Sequence, residues 1–333
     1  MNRGIAFAGN LIVDQLKKIE AYPALSALTH ITGVEQSMGG LACNCTVDLC
    51  KLAPELPVKV VGIVGNDGPG DYILGEFAKY PNLDTSGVLR DGITAFTDVM
   101  TQADGRRTFF TYNGANALLG PEHFDFDALE ADILHIGYIL LLEKLDGPDP
   151  DYPTALCRVL DEARKRGIQT SIDVVTEQGE RFGRLVPPAL RYADYCIINE
   201  TEASGVTGIP LREEAGETVL ADNFRPCLEK LAEMGVSRWV VIHMPESSCG
   251  WDVQTRRYHC EASWRIPEGF IKSSVGAGDA FAAGILLAAY RGQTLEEAIH
   301  MAGAAAAYSL SGAGASDALK PMEEILAEME SFQ

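Results

Sequence analysis

Four consecutive residues, Gly276, Ala277, Gly278 and Asp279, place a carboxylate directly behind a loop with almost no side chains. The apolar stretch after Asp279 predicts a helix, and a helix start exposes unpaired N–H groups and a partial positive charge. Glycine lets a ligand approach those groups closely, so the loop suits phosphate oxygens. Asp279 could accept the proton of a hydroxyl that attacks a phosphate, or it could cap the helix. The spacing alone does not choose between these two roles.

Two further acidic positions stand at the ends of predicted strands. Asn199 and Glu202 lie three residues apart at a strand-to-helix junction, so their side chains share one helix face. They could bind a phosphate and the hydrated Mg²⁺ beside it, or they could be a capping asparagine and a solvated glutamate. Asp14 follows a buried strand and could accept two hydroxyls of a sugar, although an ordinary turn acid is equally compatible with its position.

The elements that would position these residues alternate between strand and helix from about residue 131 onward. This alternation predicts an α/β fold with a doubly wound, mostly parallel sheet that is flanked by helices. Segments 15–38 and 93–113 carry strand patterns without helices, and we expect them to form a small β-sheet lid inserted in a single domain over residues 1–333. Helices are predicted over 279–290, 295–310 and 321–331.

Composition excludes several classes of partner. The 333 residues carry a formal net charge of −20, which argues against nucleic acid and anionic membrane as partners. The N-terminal apolar stretch is too short for a secretory signal, and no run approaches the length of a membrane span. Eight cysteines include no CxxC pair, so we expect buried thiols rather than a metal cluster at Cys43, Cys45 and Cys50. These features favour a reducing, cytoplasmic location.

Five motifs resemble those of one enzyme family. The stretch from Ser273 to Asp279 resembles the D-T-x-G-A-G-D signature of the ribokinase-like (PfkB) carbohydrate kinases. In matching order, four other pieces resemble family elements: GNLIVD (9–14), GGLACN (39–44), RTFFTYNGAN (107–116) and NETEA (199–203). The resemblance extends from about Ile5 to Leu326.

The resemblance implies a kinase that transfers the γ-phosphate of ATP to a hydroxymethyl group of a free sugar. Asp279 is then the general base, and Gly276, Ala277 and Gly278 form an anion hole. Asn199 and Ser274 contact the nucleotide phosphates, and Glu202 binds Mg²⁺ through water. The expected acceptor ligands are Asp14, Gly39, Gly40, Asn44, Arg107 and Asn116. A homodimer through the lid is compatible with the family.

Two departures from the family pattern leave alternatives open. Ser273 replaces the usual aspartate, which puts a monovalent-cation site in doubt. Pro245 stands where the family often has the glycine of T-x-G facing the nucleotide, so residues 247–250 could rebuild that edge. A nucleoside kinase of the same fold and a catalytically inactive sugar-binding or regulatory protein remain alternatives. The sugar, the nucleotide base and the oligomeric state are not determined by the sequence.

Overall fold

The computed structural model describes residues 3–177, 181–213 and 218–332. It confirms the α/β fold and the second, small sheet. The strands, numbered in chain order, are β1 (Ile5–Gly9), β2 (Ile12–Ile19), β3 (Ile31–Gly39), β4 (Val58–Val64), β5 (Leu83–Arg90), β6 (Ala95–Thr101), β7 (Arg107–Tyr112), β8 (Ile133–Ile139), β9 (Gln169–Val174), β10 (Tyr195–Asn199), β11 (Trp239–His243), β12 (Ser247–Asp252) and β13 (Arg257–Ala262).

The α-helices follow the same order of numbering. They are α1 (Leu41–Leu52), α2 (Gly68–Phe77), α3 (Ala155–Lys165), α4 (Phe182–Leu190), α5 (Glu200–Thr207), α6 (Phe224–Glu233), α7 (Ala277–Tyr290), α8 (Leu295–Ser309) and α9 (Met322–Glu330). The three C-terminal helices confirm the predictions for 279–290, 295–310 and 321–331 to within two residues at each end. None of the helices in the described ranges is both long and apolar enough to cross a bilayer.

The large sheet has nine strands in the order β13-β12-β11-β10-β9-β8-β1-β4-β5. Seven neighbouring strands of this sheet pair in parallel, from β5 through β4, β1, β8, β9 and β10 to β11. Helices cover both faces, which is why the central strands are apolar on both sides and form the two main parts of the core. The carboxyl ends of these strands therefore meet at one edge, where polar residues can gather.

An antiparallel hairpin, β12–β13, closes one edge of the large sheet and was not predicted from the sequence. Cys249 and Cys260 lie directly opposite each other in this hairpin and are joined by a disulfide. The bond was not predicted from the sequence, because only the pairing of β12 with β13 places the two cysteines opposite each other. Cys43, Cys45 and Cys50 are buried free thiols, as expected.

The small sheet has the order β3-β2-β6-β7 and comes from the two segments that carried strand patterns. Strands β2 and β6 pair in parallel, whereas β3 and β7 pair antiparallel to them. Because β2 begins three residues after β1 ends, the small sheet rises from the carboxyl edge of the large one. This edge also holds the polar residues described next.

Candidate active site

Asp279 lies in the first turn of α7 but does not cap it. The helix begins after Gly276, and no side chain among the described residues caps its N-terminus, so the capping role is wrong. Asp279 is instead 4% exposed and accepts hydrogen bonds from Asn44 Nδ2 at 2.7 Å and from Tyr138 Oη at 2.8 Å. Burial raises the pKa of Asp279 above its ordinary value, and the two hydrogen bonds oppose that rise.

The loop before Asp279 contains two glycines at positions where a side chain would be strained or crowded. Gly276 has φ +81°, and a Cβ on it would lie 2.5 Å from the carbonyl oxygen of Ala315. A Cβ on Gly278 would lie 3.3 Å from the His243 ring. The positive φ and the close neighbours explain why this turn consists of glycine and alanine. Residues 276–278 are half-buried, so part of the start of α7 is accessible to a ligand.

Asn199 and Glu202 form a capping box at the start of α5. Asn199 Oδ1 accepts from the Glu202 N–H at 2.9 Å, and Glu202 Oε2 accepts from the Asn199 N–H at 3.0 Å. Thr176 Oγ1 donates to Glu202 Oε1 at 2.8 Å. The asparagine is thus a cap, but the glutamate is only 4% exposed rather than solvated. Burial raises the pKa of Glu202 to about 7.

A cavity of about 280 Å³, here called the small cavity, joins these two groups. Asp279, Gly276, Gly278, Asn199 and Glu202 all line it. The structure therefore brings together residues that the sequence separates by up to 80 positions.

Two residues of the small cavity were missed by the sequence analysis, namely Tyr138 and Asp173. Burial, together with the nearby Glu202 and Asp279, raises the pKa of Asp173 well above its usual range. Both residues occur at the carboxyl ends of parallel strands, β8 and β9, and that position was the only available signal.

Asp14 lies on the small sheet against the backbone of Gly39, where any Cβ would overlap its carboxylate. Burial raises the pKa of Asp14 to about 6, against a hydrogen bond from Thr97 that lowers it. Gly40 precedes α1 with φ +84°. Burial, with smaller contributions from Asp14 and Asp279, raises the pKa of Cys43 to about 12. Asn44 reaches the small cavity through its hydrogen bond to Asp279, whereas Asp14, Gly39 and Gly40 do not line that cavity.

Two expected acceptor ligands do not join this group. The side-chain amide of Asn116 is buried and bonds both backbone groups of Leu11, at 3.1 Å each, so it has a structural role. Arg107 is exposed and pairs with Thr101 at the far end of the β6–β7 hairpin. Asp14 pairs with Thr97, and Thr97 pairs with Thr111 on β7. Arg107 is four residues from Thr111 along β7, so it lies roughly 13 Å along the sheet from Asp14.

A second cavity of about 680 Å³, here called the large cavity, adjoins the small one. Asn199, His243 and Gly278 line both cavities. Its lining includes Ser274 and Ala277 from the loop before Asp279, and Pro245, Ser248 and Trp264 from the neighbourhood of the β12–β13 hairpin. Burial lowers the pKa of His243 to about 4, so this residue is neutral near pH 7. Within the described residues, neither cavity is lined by lysine or arginine.

Comparison with known proteins assigns the family. Residues 8–321 match the model of the pfkB family carbohydrate kinases. The chain belongs to the PfkB family. A ribokinase from Staphylococcus aureus is 23% identical over 98% of this chain and 99% of its own length. An ATP-dependent ribose-1-phosphate kinase from Halopiger xanaduensis is 27% identical over 93% of both chains. The structure of Arabidopsis thaliana ribokinase with ribose and ATP superposes with a TM-score of 0.82, at 22% identity over 99% of both chains.

Membership of the PfkB family makes this protein a phosphotransferase with an alcohol group as acceptor, within the sugar and nucleoside kinases. An inactive sugar-binding protein is therefore not the function that these findings support.

Proposed function

We propose that this PfkB-family protein transfers the γ-phosphoryl group of ATP to a hydroxymethyl group of a free, unphosphorylated sugar. One observation carries the proposal: a buried carboxylate, Asp279, lines the small cavity directly after Gly278, which lines both cavities at the start of α7. The large cavity has the volume for a nucleotide, and the small cavity has donors and acceptors for a sugar hydroxyl.

The proposed reaction uses Asp279 as the general base. The acceptor hydroxyl loses its proton to the carboxylate while its oxygen attacks the γ-phosphorus, and the bond to the β-phosphate oxygen breaks to release ADP. Asn44 and Tyr138 hold the carboxylate in place through its two oxygens. In this proposal the backbone N–H groups around Gly276, Ala277 and Gly278 stabilise the charge on the moving phosphoryl group, and Ser274, which lines the large cavity, contacts the nucleotide phosphates.

Mg²⁺ fits the oxygen donors of the small cavity. Asp173 and Glu202 are both buried carboxylates on this wall, and burial together with neighbouring carboxylates raises the pKa of each. A divalent ion bound there, through water at Glu202, would neutralise phosphate charge in a protein of net charge −20. Asn199 lies between this site and the large cavity.

The charge around Asp14 supports a neutral acceptor. Asp14, Asp173 and Asp279 are carboxylates, and Arg107 lies at the far end of its hairpin. A sugar phosphate would require two or more cations, so a free sugar or nucleoside suits the site better. Ribose is the ligand named for the Arabidopsis structure, and a nucleoside kinase from Methanocaldococcus jannaschii has the same fold.

We further propose that the small sheet acts as the lid and pairs with a second copy. Large apolar side chains are exposed on it, namely Ile31, Val34, Phe109, Phe110 and Tyr112. Exposed apolar surface of this kind is typical of an interface between subunits. The proposed use of ATP favours a cytoplasmic location.

The test is a screen for ATP consumption with hexoses, pentoses, sugar acids, sugar phosphates and nucleosides, run on the wild type and on Asp279→Asn. We expect turnover of a neutral sugar, and a fall of roughly 10² to 10⁴ in the variant with ATP binding retained. Asp194→Asn is the matched control, because that carboxylate is also buried and hydrogen-bonded but lies at the opposite edge of the sheet. Near-normal turnover in Asp279→Asn would remove Asp279 as the base, and preference for a phosphorylated acceptor would contradict the acceptor class.

A further inference from the structure

A third cavity, here called the rear cavity, lies at the edge of the large sheet opposite the candidate active site. Its volume is about 350 Å³. Tyr195 and Trp239, the first residues of β10 and β11, line it, whereas Asn199 and His243, the last residues of the same strands, line the large cavity. Strands of five residues separate the two sites by roughly 13 Å. The rear cavity is therefore distinct from the proposed reaction centre.

Two arginines, Arg238 and Arg257, line the rear cavity without an ion pair to any described residue. Arg257 is directly opposite Asp252 in the β12–β13 ladder, yet Asp252 Oδ1 accepts from the N–H groups of Gln254 and Thr255, both at 2.9 Å. Near Arg238, the carboxylate of Asp194 accepts from Thr170 and Ser237 instead. Both carboxylates accept backbone or hydroxyl hydrogen bonds, and among the described residues neither forms an ion pair with Arg238 or Arg257.

The other walls supply groups for hydroxyls. Gln293 Oε1 is buried without a hydrogen-bond partner among the described residues, and Asp252 and Glu296 add carboxylates. Two guanidinium groups suit a phosphate, which accepts several charge-assisted hydrogen bonds, and acceptor oxygens suit sugar or polyol hydroxyls. We propose that the rear cavity binds a small phosphate monoester that carries hydroxyl groups. Its volume is in the lower part of the range for small-molecule sites.

The rear and large cavities share two structural elements. Helix α8 begins at the rear cavity, and its residues Gly303 and Ala306 line the large cavity. The β12–β13 hairpin also reaches both, and Gly250 packs so closely on Leu295 and Ile299 of α8 that a Cβ there would lie 2.8 Å from Ile299. A ligand in the rear cavity that restricts the motion of the hairpin and of the start of α8 would reduce the conformational entropy that the protein loses when a second ligand binds in the large cavity. If the large cavity holds the nucleotide, as proposed above, the phosphate monoester should tighten nucleotide binding.

The test is a calorimetric titration of the full chain with glycerol 3-phosphate, with a non-hydrolysable ATP analogue and Mg²⁺ present in excess to occupy the candidate active site. We expect one site, and at least tenfold weaker binding in Arg257→Gln, an exposed position where the fold should not change. Arg256→Gln is the matched control, because Arg256 has the same charge on the same turn but does not line the cavity. Arg238→Lys should weaken binding less than Arg238→Gln.

Equal affinity in wild type and the Arg238→Gln/Arg257→Gln double variant, or no binding at all, would overturn the site. Equal affinity for inorganic sulfate would overturn the ligand class, because it would show that hydroxyls are not recognised. A separate titration of the ATP analogue, with and without glycerol 3-phosphate, tests the coupling: we expect about threefold tighter binding, and an unchanged affinity would contradict it. These readouts need no acceptor, so they stand apart from the test of the kinase reaction.

Discussion

The hydroxyl of Tyr138 donates a hydrogen bond to Asp279 Oδ1 at 2.8 Å, from a strand that lies 141 residues earlier in the chain. This bond lowers the pKa of Asp279 against the rise that burial causes. Tyr138 is therefore positioned both to orient the proposed base and to keep it ionised.

Tyr138→Phe should reduce turnover by roughly tenfold, because a hydrogen bond to a charged group contributes ~1.5 kcal/mol or more. Its loss raises the pKa of Asp279 further, so the acid limb of the kcat/KM profile should move to higher pH. Tyr152→Phe removes a phenol–carboxylate bond to Asp161 elsewhere and should leave the profile unchanged. An unshifted acid limb in Tyr138→Phe would show that Tyr138 does not act on Asp279.

Asp279→Asn should increase thermal stability at neutral and alkaline pH. The pKa of Asp279 is higher in the folded protein than its ordinary value of 3.8. The contribution of Asp279 to the free energy of unfolding is therefore highest when pH is below 3.8, and it falls as pH rises through the folded-state pKa because the buried carboxylate must ionise. Asparagine does not ionise, so the variant does not lose stability in this way as pH rises. We expect a higher Tm than wild type at pH 8 and a smaller difference at pH 5, which parallel thermal melts of the two proteins would measure. A difference that grows on acidification would have the wrong sign for a buried carboxylate.

Glu202→Gln should raise the Mg²⁺ concentration needed for half-maximal activity by about tenfold, since a metal site loses one charge. Glutamine can keep the capping box with Asn199, so the Tm should change little. Glu297→Gln alters the equivalent capping box with Thr294 on α8 and serves as the control. The same Mg²⁺ dependence in both variants would assign Glu202 to capping alone.

Gly39→Ala should raise the KM for the acceptor by at least tenfold and leave the KM for ATP within twofold. The new methyl group overlaps the Asp14 carboxylate and must displace it. Gly33→Ala, on the same strand, meets only the flexible side chain of Lys18 at 3.3 Å and is the control. Equal acceptor KM values for the two variants would separate Asp14 from acceptor binding.

Activity should depend on Mg²⁺ but only weakly on K⁺. Ser273 stands where the family usually has an aspartate, and its hydroxyl accepts from the Val275 N–H at 3.2 Å. The loop thus lacks one anionic group for a monovalent cation. Replacing K⁺ by tetramethylammonium at constant ionic strength should change turnover by less than about tenfold, or ~1.4 kcal/mol of barrier. A greater loss would indicate a potassium site.

The sequence predicted the central elements because buried parallel strands have continuous apolar runs between helical segments. It missed β5 and the β12–β13 hairpin, whose outer strands are partly exposed and have the polar composition of loops. Asp279 and Glu202 were predictable from local motifs. Tyr138 and Asp173 are single residues at strand ends. The residues they interact with lie far away in the sequence, so no local motif indicated their role. Asn116 matched a motif, yet its amide bonds the Leu11 backbone.

Asp14 and Asp279 belong to different parts of the architecture, since Asp14 lies on β2 of the small sheet and Asp279 lies on α7 beside the large sheet. An acceptor held by both would bridge the two sheets and draw them together. A water molecule bound at Asp279 alone would lack the second contact at Asp14. Wasteful hydrolysis of ATP would then be suppressed by the division of the site between two sheets, without any group dedicated to excluding water.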